Sequence, residues 1–137
     1  MELERLSEKL AQVAEKFGIR MALLFGSAVS GRMHDSSDLD VAVLLRSPDL
    51  SHGKFAELRH ELQQMAPERE LDLSLLNRAD PLFLKKITES CKLLYGDERD
   101  LQKLKIDSFR RYQDHRPFLR LAREYVKRIV RGAGTQL

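Results

Sequence analysis

The sequence predicts an α/β fold made of one domain. Helix-period apolar stretches alternate with short strand-like apolar runs, and turn residues separate them. The chain has 137 residues, 42% apolar and 33% charged, which suits one compact core and a well-solvated surface. It contains no internal repeat and no low-complexity stretch.

Leu3, Leu6, Leu10, Val13 and Phe17 share one face of an amphipathic helix, and Gly18 follows as its C-terminal cap. Ile19 to Phe25 is a buried strand that ends at Gly26-Ser27, and Ala28 to Gly31 forms a short helical turn. His34-Asp35-Ser36-Ser37 is loop chemistry, with Ser36 and Ser37 shaping that loop. Asp38 to Leu45 is a second strand with Val41, Val43 and Leu45 on one face. Ser47-Pro48-Asp49 breaks it. Phe55, Leu58, Leu62 and Met65 mark a helix stopped near Pro67.

Glu70 to Leu76 is a third strand, with Leu71, Leu73 and Leu75 on one face and Asp72 and Ser74 on the other. Asp80-Pro81 reads as an N-cap followed by proline at the first helical position. The helix it opens carries Phe83, Leu84, Ile87 and Cys91, and Cys91 is expected to be a small core residue on its stripe. Gly96 closes the segment. Asp97 caps a further helix with Leu101, Leu104, Phe109 and Tyr112. Pro117 opens or kinks a last one, striped by Phe118, Leu121, Ala122, Tyr125, Val126 and Ile129. Gly132 to Leu137 is expected to fray. The order is helix, strand, strand, helix, strand, then helices.

Several classes are excluded. The longest apolar runs, Met21–Phe25 and Val41–Leu45, are too short to span a bilayer. Met-Glu-Leu-Glu-Arg at the start lacks the apolar core of a secretory signal. The single cysteine permits no internal disulfide and no zinc cluster, so a reducing cytoplasm is the expected compartment. No two of His34, His52, His60 and His115 have a zinc-like spacing, and all four are expected at the surface. Net charge is +3, but residues 1–96 carry −2 and residues 97–137 carry +5. Six basic residues and only Glu124 as an acid lie between Arg116 and Arg131. That tail fits either a solvated helix face or a surface for a polyanion or an acidic partner.

The chemistry concentrates in Phe25-Gly26-Ser27, ten residues, then Asp38-Leu39-Asp40. Asp38 and Asp40 are two apart on a strand, so both carboxylates point to one face and together favour a hard divalent cation. Gly26-Ser27 lies where a strand gives way to a helical turn. There, free N–H groups and a hydroxyl hold phosphate oxygens, and glycine permits close approach. Asp72 adds a carboxylate from another strand, pointing away from its apolar neighbours. Arg32 can pair with a phosphate. Three acids and a phosphate-holding Gly-Ser describe metal-dependent nucleotidyl transfer.

This pattern resembles the signature of the DNA polymerase β-like nucleotidyltransferase superfamily. The chain is similar to its minimal members, the MNT proteins, and especially to the MntA-type antitoxins encoded beside HEPN toxins. Asp72 in Leu71-Asp72-Leu73 matches the third carboxylate. Leu93-Leu94-Tyr95-Gly96 and Tyr112-Gln113-Asp114-His115-Arg116-Pro117-Phe118 are similar to later helices of those antitoxins. The resemblance implies a small polymerase β-like fold, a mixed sheet flanked by helices. Residues 1–96 would be its nucleotidyltransferase core and 97–137 a helical extension of the same domain. It implies that Asp38 and Asp40 bind two Mg²⁺ ions. Asp72 would bind the second ion and help deprotonate the acceptor hydroxyl. Gly26 and Ser27 would grip the β- and γ-phosphates of ATP.

The implied partner is a HepT-like HEPN ribonuclease toxin, modified with AMP on a tyrosine, in a hetero-oligomer. Neither a membrane nor direct nucleic-acid binding is expected. A small-molecule nucleotidyltransferase of the aminoglycoside type, or an antitoxin acting by binding alone, are the alternatives. Arg110 and His115 match the first part of the HEPN signature Arg-x4-His-x-Tyr, but Pro117 stands where tyrosine belongs, so ribonuclease activity is not expected. Tyr112 and Tyr125 fall on helical stripes and are expected to pack in the core rather than serve, with Tyr95, as self-modification sites.

Overall fold

The computed structural model describes residues 2–26, 29 and 38–135, excluding the side chains of 133–135. Helix α1 (Glu2–Phe17) buries Leu6, Leu10, Val13, Ala14 and Phe17, the stripe its spacing dictates, and Gly18 ends it with φ +66°. Strand β1 (Ile19–Phe25) follows, then β2 (Leu39–Leu45), α2 (His52–Gln63), β3 (Leu71–Leu75) and a 3₁₀ turn at Leu76–Arg78. Helix α3 (Pro81–Glu89), β4 (Cys91–Tyr95) and α4 (Glu98–Thr135) complete the chain.

The four strands form a mixed sheet in the order β3-β2-β1-β4. β1 pairs antiparallel with both β2 and β4, whereas β2 and β3 run parallel. Both faces of the sheet are covered, so β1 and β2 are apolar nearly throughout. Val41, Val43 and Leu45 pack with Leu6, Leu10, Leu58 and Leu62 on the α1–α2 side. Met21, Leu23, Phe25 and Ala42 pack with Leu84, Ile87 and Leu101 on the α3–α4 side.

Two contacts fix the register at the sheet edge. Leu39 N–H donates to Glu70 C=O at 2.8 Å. The Gln63 side chain, at the end of α2, accepts from Leu71 N–H at 2.8 Å and donates to the carbonyls of Ala66 and Arg69. Asn77 closes the other end by bonding both the N–H and the C=O of Leu45, at 2.8 and 2.9 Å.

Four expectations are corrected. Cys91 does not extend the helix opened by Pro81. That helix stops at Glu89, Ser90 is extended, and Cys91 begins β4 as a half-buried residue packed beside the α3–α4 core. The cause is tertiary: the second edge of β1 needs a hydrogen-bonding partner, and Cys91–Tyr95 supplies it. The separate helices expected around Pro117 are one helix of 38 residues with Pro117 inside it, about 57 Å long. Proline removes one N–H and frees the carbonyl of Gln113. That residue is exposed, so water can satisfy the freed group. The helix also continues through Gly132 to Thr135, where fraying was expected.

The last correction concerns packing. The stripe Phe118, Leu121, Tyr125, Val126 and Ile129 is solvent-exposed, and every residue from Arg120 to Gly132 is exposed. Tyr125 is 66% exposed and is no core residue, and Tyr112 is only half-buried. Among the described residues the apolar side chains of this half of α4 are left largely to solvent, with Phe118 beside the His115 ring of the same helix. The expected turn at Ala28–Gly31 lies, apart from Val29, outside the described residues. So do Ser27, Arg32, His34, Ser36 and Ser37.

Candidate active site

Strand pairing assembles the site. Phe25 stands opposite Asp40 across β1–β2, and Asp40 stands opposite Asp72 across β2–β3. Gly26, Asp40 and Asp72 therefore meet at one end of the sheet. Asp40 shares the strand face of Ala42, which is the face that α3 covers. A cavity of about 380 Å³ opens there, lined by Phe25, Gly26, Asp40, Asp72, Ser74, Phe83, Lys86 and Ser90.

Gly26 has φ +75°, a conformation that side chains disfavour. A Cβ at this position would collide with Asp40 Oδ2 and lie 3.2 Å from its Cγ. Glycine is thus required by both conformation and space. The chain then turns, with Val29 N–H bonded to Gly26 C=O at 3.1 Å.

Helix α3 supplies the opposite wall. Asp80 accepts from Phe83 N–H at 2.8 Å and Pro81 begins the helix, as the Asp-Pro pair predicts. The Phe83 ring meets Phe25 edge-on, with centroids 5.9 Å apart at 78°. That contact ties α3 to the strand that carries Gly26.

The carboxylates are electrostatically crowded. Partial burial pushes the Asp40 carboxyl above its ordinary value of 3.8, and the charges of Asp72 and Asp38 push it further, while Lys86 pulls it down. Asp38 lies just before β2 and is exposed, and Asp72 is exposed on β3. Among the described residues, no three His, Cys, Asp or Glu side chains converge closely enough to enclose a metal ion. Asp40 and Asp72 share the cavity, and Asp38 acts on Asp40 from beside it. Hard oxygen donors whose negative charges repel one another suit Mg²⁺, so the residues present fit such an ion.

Sequence reasoning brought forward Gly26, Asp40 and Asp72, and the fold gathers them. It missed Ser74, Phe83, Lys86 and Ser90. Ser74 was findable, because it follows Asp72 by two on the same strand face. The direction in which α3 crosses the sheet, which selects Phe83 and Lys86, is carried by no local signal. Two larger clefts surround the Arg20–Asp100 ion pair, formed at 3.2 Å; Asp97 or Asp107 joins Asp100 in lining them, but Asp100 is already paired with Arg20.

Comparison with known proteins agrees with this geometry. No curated protein matches the sequence significantly. Among solved structures, the chain is similar to one chain of a toxin–antitoxin with AMP-PNP. Identity is 25% and TM-score 0.70, covering 90% of this chain and 97% of that one. It is also similar to a chain from a tri-AMPylated Shewanella oneidensis HEPN toxin in complex with MNT antitoxin. Identity there is 22% and TM-score 0.67, covering 95% and 98%. An Enterococcus spectinomycin adenyltransferase with ATP and spectinomycin shares the fold at 16% identity and TM-score 0.56, covering 78% of this chain and 62% of that one. The sequence profile of the family described as "Polymerase beta, Nucleotidyltransferase" matches residues 8–100. With that match over two thirds of its length, and with the acids of β2 and β3 beside the glycine turn, the chain belongs to the polymerase beta nucleotidyltransferase family.

Proposed function

We propose that this chain is a Mg²⁺-dependent nucleotidyltransferase that serves as an antitoxin. It would transfer AMP from ATP to a tyrosine of a cognate HEPN ribonuclease toxin and so neutralise it. One observation carries this reading: the chain and the toxin–antitoxin chains cover each other almost end to end. The chain spans only 62% of the spectinomycin enzyme, which acts on a small molecule. The exposed apolar side of α4 offers a surface for a protein partner.

In this mechanism Asp38, Asp40 and Asp72 would hold the metal, and Gly26, Ser27 and Arg32 would bind the triphosphate. Magnesium would supply charge neutralisation at the phosphates and at the acceptor oxygen. Asp72 orients the tyrosine hydroxyl and takes up its proton. The hydroxyl oxygen forms a bond to the α-phosphorus, the α–β phosphoanhydride bond breaks, and pyrophosphate leaves with the electron pair. Gly26, with no side chain, lets the triphosphate approach Asp40. Residues 1–96 perform the chemistry and 97–137 present the partner surface. The reaction belongs in the cytoplasm, in a hetero-oligomer with the toxin, without direct nucleic-acid binding. No helix among the described residues is long and apolar enough to cross a membrane.

The test is incubation with ATP labelled at the α-phosphate and Mg²⁺, with and without the HEPN protein. Label on a tyrosine of that protein is the expected result. Label on an aminoglycoside, or a tight complex without label, would replace this reading with small-molecule transfer or with neutralisation by binding alone.

A further inference from the structure

Lys86 stands out in the cavity wall. It lies one helical turn after Phe83, whose ring is set edge-on against Phe25, so positions 83 and 86 face the same space. Among the described residues it is the only cation lining the cavity that Asp40 and Asp72 share, and it has no ion pair there. Its neighbour Lys85 turns elsewhere, pairing with Glu89 and lying 4.8 Å over the Tyr112 ring. A lone ammonium facing two carboxylates across an open cavity, without bonding either, suits an anion that enters between them.

Resting on the nucleotidyltransferase reading above, we infer that Lys86 binds the α-phosphate, the phosphoryl group that is transferred. The β- and γ-phosphates belong at the turn after Gly26, on the β1 side. The phosphorus under attack must lie nearer Asp72, where the acceptor oxygen is activated. Lys86 faces that position from α3. An α-phosphate there has its oxygens shared between the acid side and the ammonium side. Negative charge grows on those oxygens during transfer, so a fixed cation favours the transition state as well as binding.

The experiment measures binding of four probes in Mg²⁺ by calorimetry: AMP-PNP, AMP, pyrophosphate and adenosine. Wild type is compared with Lys86→Met, Lys86→Arg and Lys85→Met. Lys86 is exposed, and thermal melts check that Lys86→Met folds normally. Lys86→Met should weaken AMP and AMP-PNP about tenfold while leaving adenosine and pyrophosphate unchanged. Lys86→Arg should recover part of the loss, and Lys85→Met should bind all four as wild type does. Undiminished AMP binding by Lys86→Met overturns the inference, and a selective loss of pyrophosphate overturns it in favour of the β- and γ-phosphates. Wild type that fails to bind AMP-PNP in Mg²⁺ overturns the nucleotidyltransferase reading itself, a result distinct from both.

Discussion

Asp40 and Asp72 stand directly opposite each other on neighbouring parallel strands, and neither has a cation bonded to it among the described residues. Such a pair is unfavourable for folding and useful for capturing a cation. Its position at the sheet end, beside a glycine turn, supports its place in the proposed site.

Neutralising Asp40 should stabilise the fold. Its carboxyl is raised above 3.8, mainly by burial and then by Asp72 and Asp38, so ionisation is disfavoured in the native state. The favourable contribution of Asp40 is therefore complete below 3.8 and is lost as pH rises through the elevated native value. Asp40→Asn should raise the melting temperature at pH 7 in EDTA, and the gain should vanish on acidification below 3.8. Saturating Mg²⁺ should stabilise the wild type and leave the variant unchanged. Thermal melts across pH, with and without the ion, check both statements.

Gly26→Ala should impair transfer far more than stability. The positive φ disfavours alanine by about 1 kcal/mol, and the added Cβ displaces the Asp40 carboxylate. A folded variant with native circular dichroism and at least tenfold slower transfer is the expected outcome. Wild-type transfer would show that the Asp40 carboxylate can move without loss.

Gln63 holds the edge strand in register. Gln63→Leu leaves Leu71 N–H and the carbonyls of Ala66 and Arg69 without their side-chain partner. The cost should be about 1–3 kcal/mol, read as a lower urea midpoint. Transfer should fall as well, because Asp72 is the next residue on that strand.

The exposed half of α4 should matter for partnership and not for folding. Leu121→Asp and Ile129→Asp replace side chains that are 69% and 53% exposed. Each should change folding stability by no more than about 0.5 kcal/mol. Both should weaken co-purification with the HEPN protein. A large shift in the urea midpoint would show that the stripe packs within the protein after all.

How much was legible in the sequence follows from which signals are local. The stripe of α1, the alternation in β3 and the Asp80-Pro81 cap each lie within a few residues, and each was readable. The Asp38-x-Asp40 spacing exposed the acids, and Asp72 stood out as the acid on the polar face of an alternating strand. Cys91–Tyr95 was misread because a short, mostly apolar stretch interrupted by Lys92 fits the end of a helix as well as a strand, and only the open edge of β1 decides between them. The stripe from Phe118 to Ile129 has the periodicity of a buried helix, yet it is exposed. Period reports that a face is apolar and not what covers it. Lys86 was missed because its meaning comes from the path of α3 across the sheet.

The most direct measurement is transfer of α-phosphate label to the HEPN protein by Asp72→Asn, at fixed Mg²⁺ and ATP and with native folding verified. If Asp40 and Asp72 jointly hold the metal and nucleotide, transfer should drop to about one hundredth of the wild-type rate or less. A folded Asp72→Asn protein that labels its partner at the wild-type rate would contradict that claim.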